Sequence, residues 1–263
     1  MDSNKARDEA IKKLAQENAR YVTSVFTPTS MAYTVNLRQL NFLQQQFEII
    51  VNDPETKKNL FQSRLVESMK EFLEQTKDFR VEKLDNQTDR TLSFYLDNRL
   101  LGPSVSSDVL EDIFQGVYSI SHELSFAGFA QAQRHRSINY NIIEGTELGA
   151  PRGFFIPKIV ELTYRVAEWS NDLHQVAKED LPQAQLLMVY ERGILEDFRS
   201  KALLRMCGHA QFEIMQDTLE IAKGYNLFQQ IYGKNSLEPK CKQGMKCASP
   251  CVWGGNNALQ RLV

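Results

Sequence analysis

Apolar residues recur three and four positions apart over residues 7–20, Met31 to Ile50, Glu55 to Gln75, Ser125 to Arg134, Pro157 to Ala177 and Leu195 to Gly224. Each stretch is predicted to form an amphipathic helix, because that spacing puts its apolar side chains on one face. Shorter strand-like runs sit at 79–84, 91–97 and 114–120. Turn residues gather at 86–90, around Pro103 to Ser107, and at 144–153, where Gly145, Gly149, Pro151 and Gly153 punctuate the chain. The pattern predicts an α+β protein with helices in the majority and a domain boundary between about residues 76 and 105. Phe47, Phe61, Phe72 and Tyr164 lie on helical apolar stripes and are expected in the core. Tyr140 is the aromatic expected near a ligand, with ordinary packing as the alternative.

The chain has 263 residues, 42% hydrophobic and 24% charged, which suffices for one large or two small cores. A net charge of −2 argues against a nucleic-acid surface, so any basic site must be local. The first twenty residues are densely charged without an apolar core, and no apolar run approaches the roughly 20 residues that cross a bilayer. No signal peptide and no membrane association are expected, and the chain reads as cytoplasmic. Three of the four cysteines, Cys241, Cys247 and Cys251, are spaced C-x5-C-x3-C. Structural zinc favours four ligands in tight pairs, so a reduced tail is the expectation and no metal site is assigned. Cys207 is expected to be a small buried hydrophobe inside a helix.

Candidate chemistry is concentrated at Arg134, His135 and Arg136, which follow the small mixed segment SFAGFAQAQ. Two guanidinium forks beside an imidazole suit the paired oxygens of a phosphate, and flanking cations lower the proton affinity of the histidine. A short basic triplet is more often a solvated turn, so the motif alone leaves both readings open. The glycine-rich loop that follows from Glu144 to Gly153 is open in the same way, either to a phosphate cradle or to a plain turn.

A second segment, LLRMCGHAQFEI at 203–214, lies downstream of QAQRHRSINYNIIEGT at 131–146. Together the two resemble the flavin-dependent thymidylate synthase family, whose signature RHRxxSxNxxSxR is followed by an arginine and an AQWEI-like helix. The resemblance implies that Arg134, His135 and Arg136 hold FAD, with Asn139 and Asn141 on the Ser and Asn of SxN and Asn141 on the cofactor. It implies further that Gln131 meets the nucleotide substrate and that Arg205 presses on the pyrimidine as the catalytic arginine. His209 then falls on the cofactor and Gln211 on the substrate, with Ala210 and Glu213 following in step. The implied reaction is reductive methylation of dUMP to dTMP with methylenetetrahydrofolate and NADPH.

Two departures stand out. The closing SxR of the signature falls on Glu144 and Thr146, so an acid and a short hydroxyl replace the substrate-side serine and the phosphate-binding arginine. Residues 17–43 also resemble the family, but the part that normally follows the signature. The family's Asn-x-Arg against the flavin nucleotide appears there as Asn36 and Arg38, and nothing like it precedes Arg205. The arrangement resembles tandem members, with a partial repeat in 1–90 and a second domain with a Cys-rich tail in 91–263. Since family sites are assembled from several subunits, a homo-oligomer or a hetero-oligomer with a more complete paralogue is expected. The alternative is a non-catalytic structural subunit that completes sites on a partner.

Overall fold

In a computed structural model of the chain, the described residues are 3–30, 32, 34–58, 60–84, 117–146, 152–224, 244–245, 253 and 260–263. They form an α+β architecture. The chain falls into two compact units, one of residues 1–25, 114–145 and 149–263, the other of residues 26–113 with 146–148. The first segment joins the larger unit because Val25 donates its amide to the Leu181 carbonyl and the Tyr21 hydroxyl donates to Glu213 at 2.8 Å. The strand expected at 91–97, the loops at 86–90 and 103–107, and Cys241, Cys247 and Cys251 lie outside the described residues.

The larger unit opens with α1 (Ser3–Ala19) and a 3-10 turn at Arg20–Val22. Its sheet has three antiparallel strands, β1 (Val117–Ser125), β2 (Asn139–Glu144) and β3 (Leu186–Ile194), in the order β1-β3-β2. β3 is fully buried at Leu187, Val189 and Glu191 and only partly at the residues between them, the alternation of a strand with one covered face. Between the strands lies α4 (Phe126–Ala132), capped by the Ser125 hydroxyl, which accepts from the Gly128 amide. β2 is followed by Gly145, which adopts φ +103°, and a Cβ there would meet the Leu186 carbonyl at 2.4 Å. Only glycine fits that turn.

The helix expected over 157–177 is two, α5 (Lys158–Leu162) and α6 (Val166–Val176). They are split at Tyr164, which adopts φ +58° and is 95% exposed rather than in the core. The helix expected over 195–224 is likewise two, α7 (Leu195–Arg205) and α8 (Phe212–Gly224). Cys207 therefore sits in the intervening turn, half-buried, and not in a helix. Arg261 holds that turn by donating to the Gly208 and Ala210 carbonyls at 3.1 and 2.7 Å and pairs with Glu17 of α1 at 2.8 Å.

The smaller unit is a helical hairpin of α2 (Leu37–Asn52) and α3 (Leu60–Thr76), with Phe47 and Phe72 edge to face at 5.1 Å. The run 79–84 is not a strand but two 3-10 turns. Buried Asn41 bonds both the amide and the carbonyl of Val81, at 3.1 and 2.7 Å, and so satisfies the backbone groups that a neighbouring strand would have paired.

Among the described residues no helix is long and apolar enough to cross a membrane.

Candidate functional site

The turn after α4 is held from both sides. The His135 amide donates to the Ala132 carbonyl and the Ile138 amide to the His135 carbonyl, while Ala132 and Ile138 are buried. Arg134 and Arg136 consequently project exposed, and His135 between them is half-buried. Arg205 closes α7 and reaches this turn: its Nε donates to His135 Nε2 at 2.9 Å and its Nη1 to Gln131 Oε1 at 3.1 Å. Three of the residues singled out in the sequence thus share one hydrogen-bonded cluster.

A guanidinium only donates, so His135 Nε2 must accept and the ring must be neutral with its proton on Nδ1. Burial, then the Arg205 and Lys201 charges, hold its pKa down at about 4. The sequence assigned that effect to Arg134 and Arg136, whereas the cations acting on the ring come from α7. Arg205 is itself pushed below its ordinary value by burial and by Arg134.

Beneath this cluster lies an ionic network that the sequence reading missed. Glu191 of β3 stands opposite Ile120 of β1 and Tyr140 of β2, and is fully buried. Lys201 of α7, equally buried, donates to both of its oxygens at 2.8 and 2.7 Å, and the Tyr118 hydroxyl donates at 2.7 Å. His122 Nδ1 lies 2.6 Å from Asp217 of α8; its Nε2 is 3.3 Å from Glu191, an ion-pair distance without hydrogen-bond alignment. The signal for Lys201 was its i, i+4 spacing to Arg205, which puts both cations on one face of α7. Glu191 was hidden because 186–194 was not read as a strand.

Burial alone would lower the pKa of His122, but Asp217 and Glu191 outweigh it and raise it to about 9. A histidine raised from its ordinary 6.5 stabilises the fold fully below about pH 6.5, and that contribution is lost as pH rises through about 9. Denaturation midpoints should therefore fall between pH 6.5 and 9, and His122→Gln should flatten the slope. Equal slopes in the two proteins would contradict the ion-pair assignment.

The remaining candidates are placed elsewhere or committed otherwise. Gln211 is buried; its side chain donates to the Tyr21 hydroxyl and accepts from Arg20 at 3.3 Å. Asn139 and Asn141 are exposed on β2, and His209 is exposed in the turn after α7. Glu144 is the last residue of β2, opposite Met188. Asn36 and Arg38 belong to the smaller unit, as does Thr146. Asn36 caps α2, with its side chain accepting from the Gln39 amide at 2.9 Å and its own amide donating to Gln39 Oε1. Tyr140, expected near a ligand, packs edge-on to Phe129 at 6.3 Å, and Lys201 Nζ lies 5.7 Å from its ring centre.

Compared with models of known protein families and with curated proteins, the chain matches none.

Proposed function

We propose that the chain is a flavin-dependent thymidylate synthase homologue that binds FAD and dUMP in the larger unit. One observation carries the reading. Gln131 and His135 come from one motif and Arg205 from another, 74 and 70 residues away, and the three meet through hydrogen bonds. FAD suits the exposed turn beside them, because Arg134 and Arg136 carry charge that no carboxylate neutralises among the described residues, and a diphosphate would. The flavin supplies the redox chemistry when bound, with NADPH and methylenetetrahydrofolate as co-substrates.

The chain's own residues then orient and polarise. Arg205 is fixed by two acceptors, so little motion remains to be lost on binding, and its Nη2 donors are unused among the described residues. They are suited to a pyrimidine carbonyl oxygen. Neutral His135 keeps its Nδ1 proton as a further donor. Asn141 and His209 complete the cofactor set of this unit in the proposal, with Gln211 and Glu144 on the substrate side. A homo-oligomer, or a hetero-oligomer with a more complete paralogue, is the proposed assembly.

A second reading, a structural subunit without turnover, draws on Glu144 and Thr146 standing where the signature has serine and arginine. An acid near a phosphate repels it, and no guanidinium receives it at 146. Glu144→Ser with Thr146→Arg should therefore tighten dUMP binding by about tenfold for each 1.4 kcal/mol recovered. Calorimetry on both proteins separates the readings: tight binding by the unmodified chain favours the enzyme, and no binding by either favours the structural subunit.

A further inference from the structure

Glu213, at the start of α8, is buried, and its carboxylate accepts three hydrogen bonds. The Ser125 amide donates to Oε1 at 2.7 Å, and the Ser125 and Tyr21 hydroxyls donate to Oε2 at 2.6 and 2.8 Å. Ser125 is the cap of α4, and its hydroxyl also accepts from the Gly128 amide at 2.9 Å. The carboxylate lies so close to that first turn that a Cβ on Gly128 would meet Glu213 Oε1, Cδ and Oε2 at 2.6, 2.7 and 2.9 Å. Side-chain ends usually yield to such a contact; this one is pinned by three hydrogen bonds in the core. α4 is two turns long, and its last turn carries Gln131, which holds Arg205.

We infer that Glu213 is a positioning residue: by clamping the first turn of α4 through Ser125, against a glycine that leaves room for it, it sets Gln131 and the following His135 turn at the distance Arg205 needs. It touches no ligand and acts only through α4. Its role in dUMP binding rests on the function proposed above; its hold on the Arg205 cluster does not. Burial pushes the carboxyl up to about 7, opposed by its bonds to Ser125 and Tyr21, and Asp217 adds to the rise. The hydroxyl of Tyr21 stays protonated because burial and the Glu213 charge both raise its pKa.

The test needs no ligand. With 15N in the rings of the four histidines, His135 should report a neutral ring protonated on Nδ1, and His122 a charged one that serves as an internal control for an intact fold. Gly128→Ala should shift the His135 signals towards a tautomer mixture while those of His122 stay. Glu213→Asp, one methylene shorter, should restore them when combined with Gly128→Ala. Ser125→Ala, which removes the hydroxyl bonds to Glu213 and to the Gly128 amide without adding bulk and leaves only the backbone amide on Glu213, should move His135 in the same direction, and serves if Gly128→Ala does not fold. Where dUMP binds the wild type, Gly128→Ala should weaken it by about tenfold or more, the loss expected when one charge-assisted contact goes. Unchanged His135 signals in a folded Gly128→Ala or Ser125→Ala, or no recovery in the Gly128→Ala, Glu213→Asp pair, would overturn the inference. A wild type that binds no dUMP but gives these His135 shifts would overturn only the functional reading.

Discussion

Lys201→Met should destabilise the larger unit by about 3–5 kcal/mol, the usual cost of stripping one partner from a buried ion pair. Lys201 and Glu191 are both fully buried, and the ammonium donates to both carboxylate oxygens. Without it, Glu191 keeps the Tyr118 hydroxyl and the nearby His122 but remains a buried charge short of its main neutralising partner. Adding Glu191→Gln should recover part of the loss, since the amide still accepts from Tyr118 and carries no charge. Urea denaturation of the three proteins decides it. A single variant within about 0.5 kcal/mol of wild type, the range of an ordinary surface change, would show that the pair is not closed as described.

The second large effect concerns the exposed arginines. If Arg134 and Arg136 grip the FAD diphosphate, removing both takes away two charge-assisted contacts at roughly 1.5–3 kcal/mol each. Arg134→Ala with Arg136→Ala should therefore weaken FAD binding by about a hundred- to ten-thousand-fold while leaving the fold intact, since both side chains are exposed. FAD titration by fluorescence reads this directly. Unchanged affinity would return the triplet to the solvated basic turn that its sequence alone also allowed.

Helical periodicity located α1, α2, α3 and α4, and the strand-like run at 114–120 signalled the start of β1. Other elements escaped it for identifiable reasons. Leu186 to Ile194 looks continuously apolar until Glu191, and a charged residue mid-run masks a strand whose inward position is rescued by Lys201, a residue ten positions on. The break at Tyr164 has no glycine or proline to announce it. The turn between α7 and α8 depends on Arg261, fifty-one residues beyond Ala210, which no local pattern can reveal. At the candidate site, the motif residues Gln131, His135 and Arg205 were legible as a group only through the resemblance of their two segments to one family signature; their hydrogen bonds span 70 and 74 residues. Gln211 and Asn36 were legible only as motif letters. Their side chains are engaged with Tyr21 and Arg20, and with the first turn of α2, partnerships fixed by folding. Neither Glu191 nor Lys201 belongs to the motifs; the spacing to Arg205 was the one signal for Lys201, and Glu191 stayed hidden until strand register brought it beside Tyr118, His122 and Tyr140.

In the proposed function the turn at Arg134 to Arg136, with Arg205 behind it, binds a flavin next to a pyrimidine nucleotide. The direct measurement is an absorbance spectrum of the purified protein reconstituted with FAD and freed of excess, followed by titration with dUMP. Retained flavin whose bands shift as dUMP is added, with the shift abolished by Arg205→Ala, is the predicted result. Protein that emerges without flavin, or holds flavin whose spectrum ignores dUMP, would contradict it.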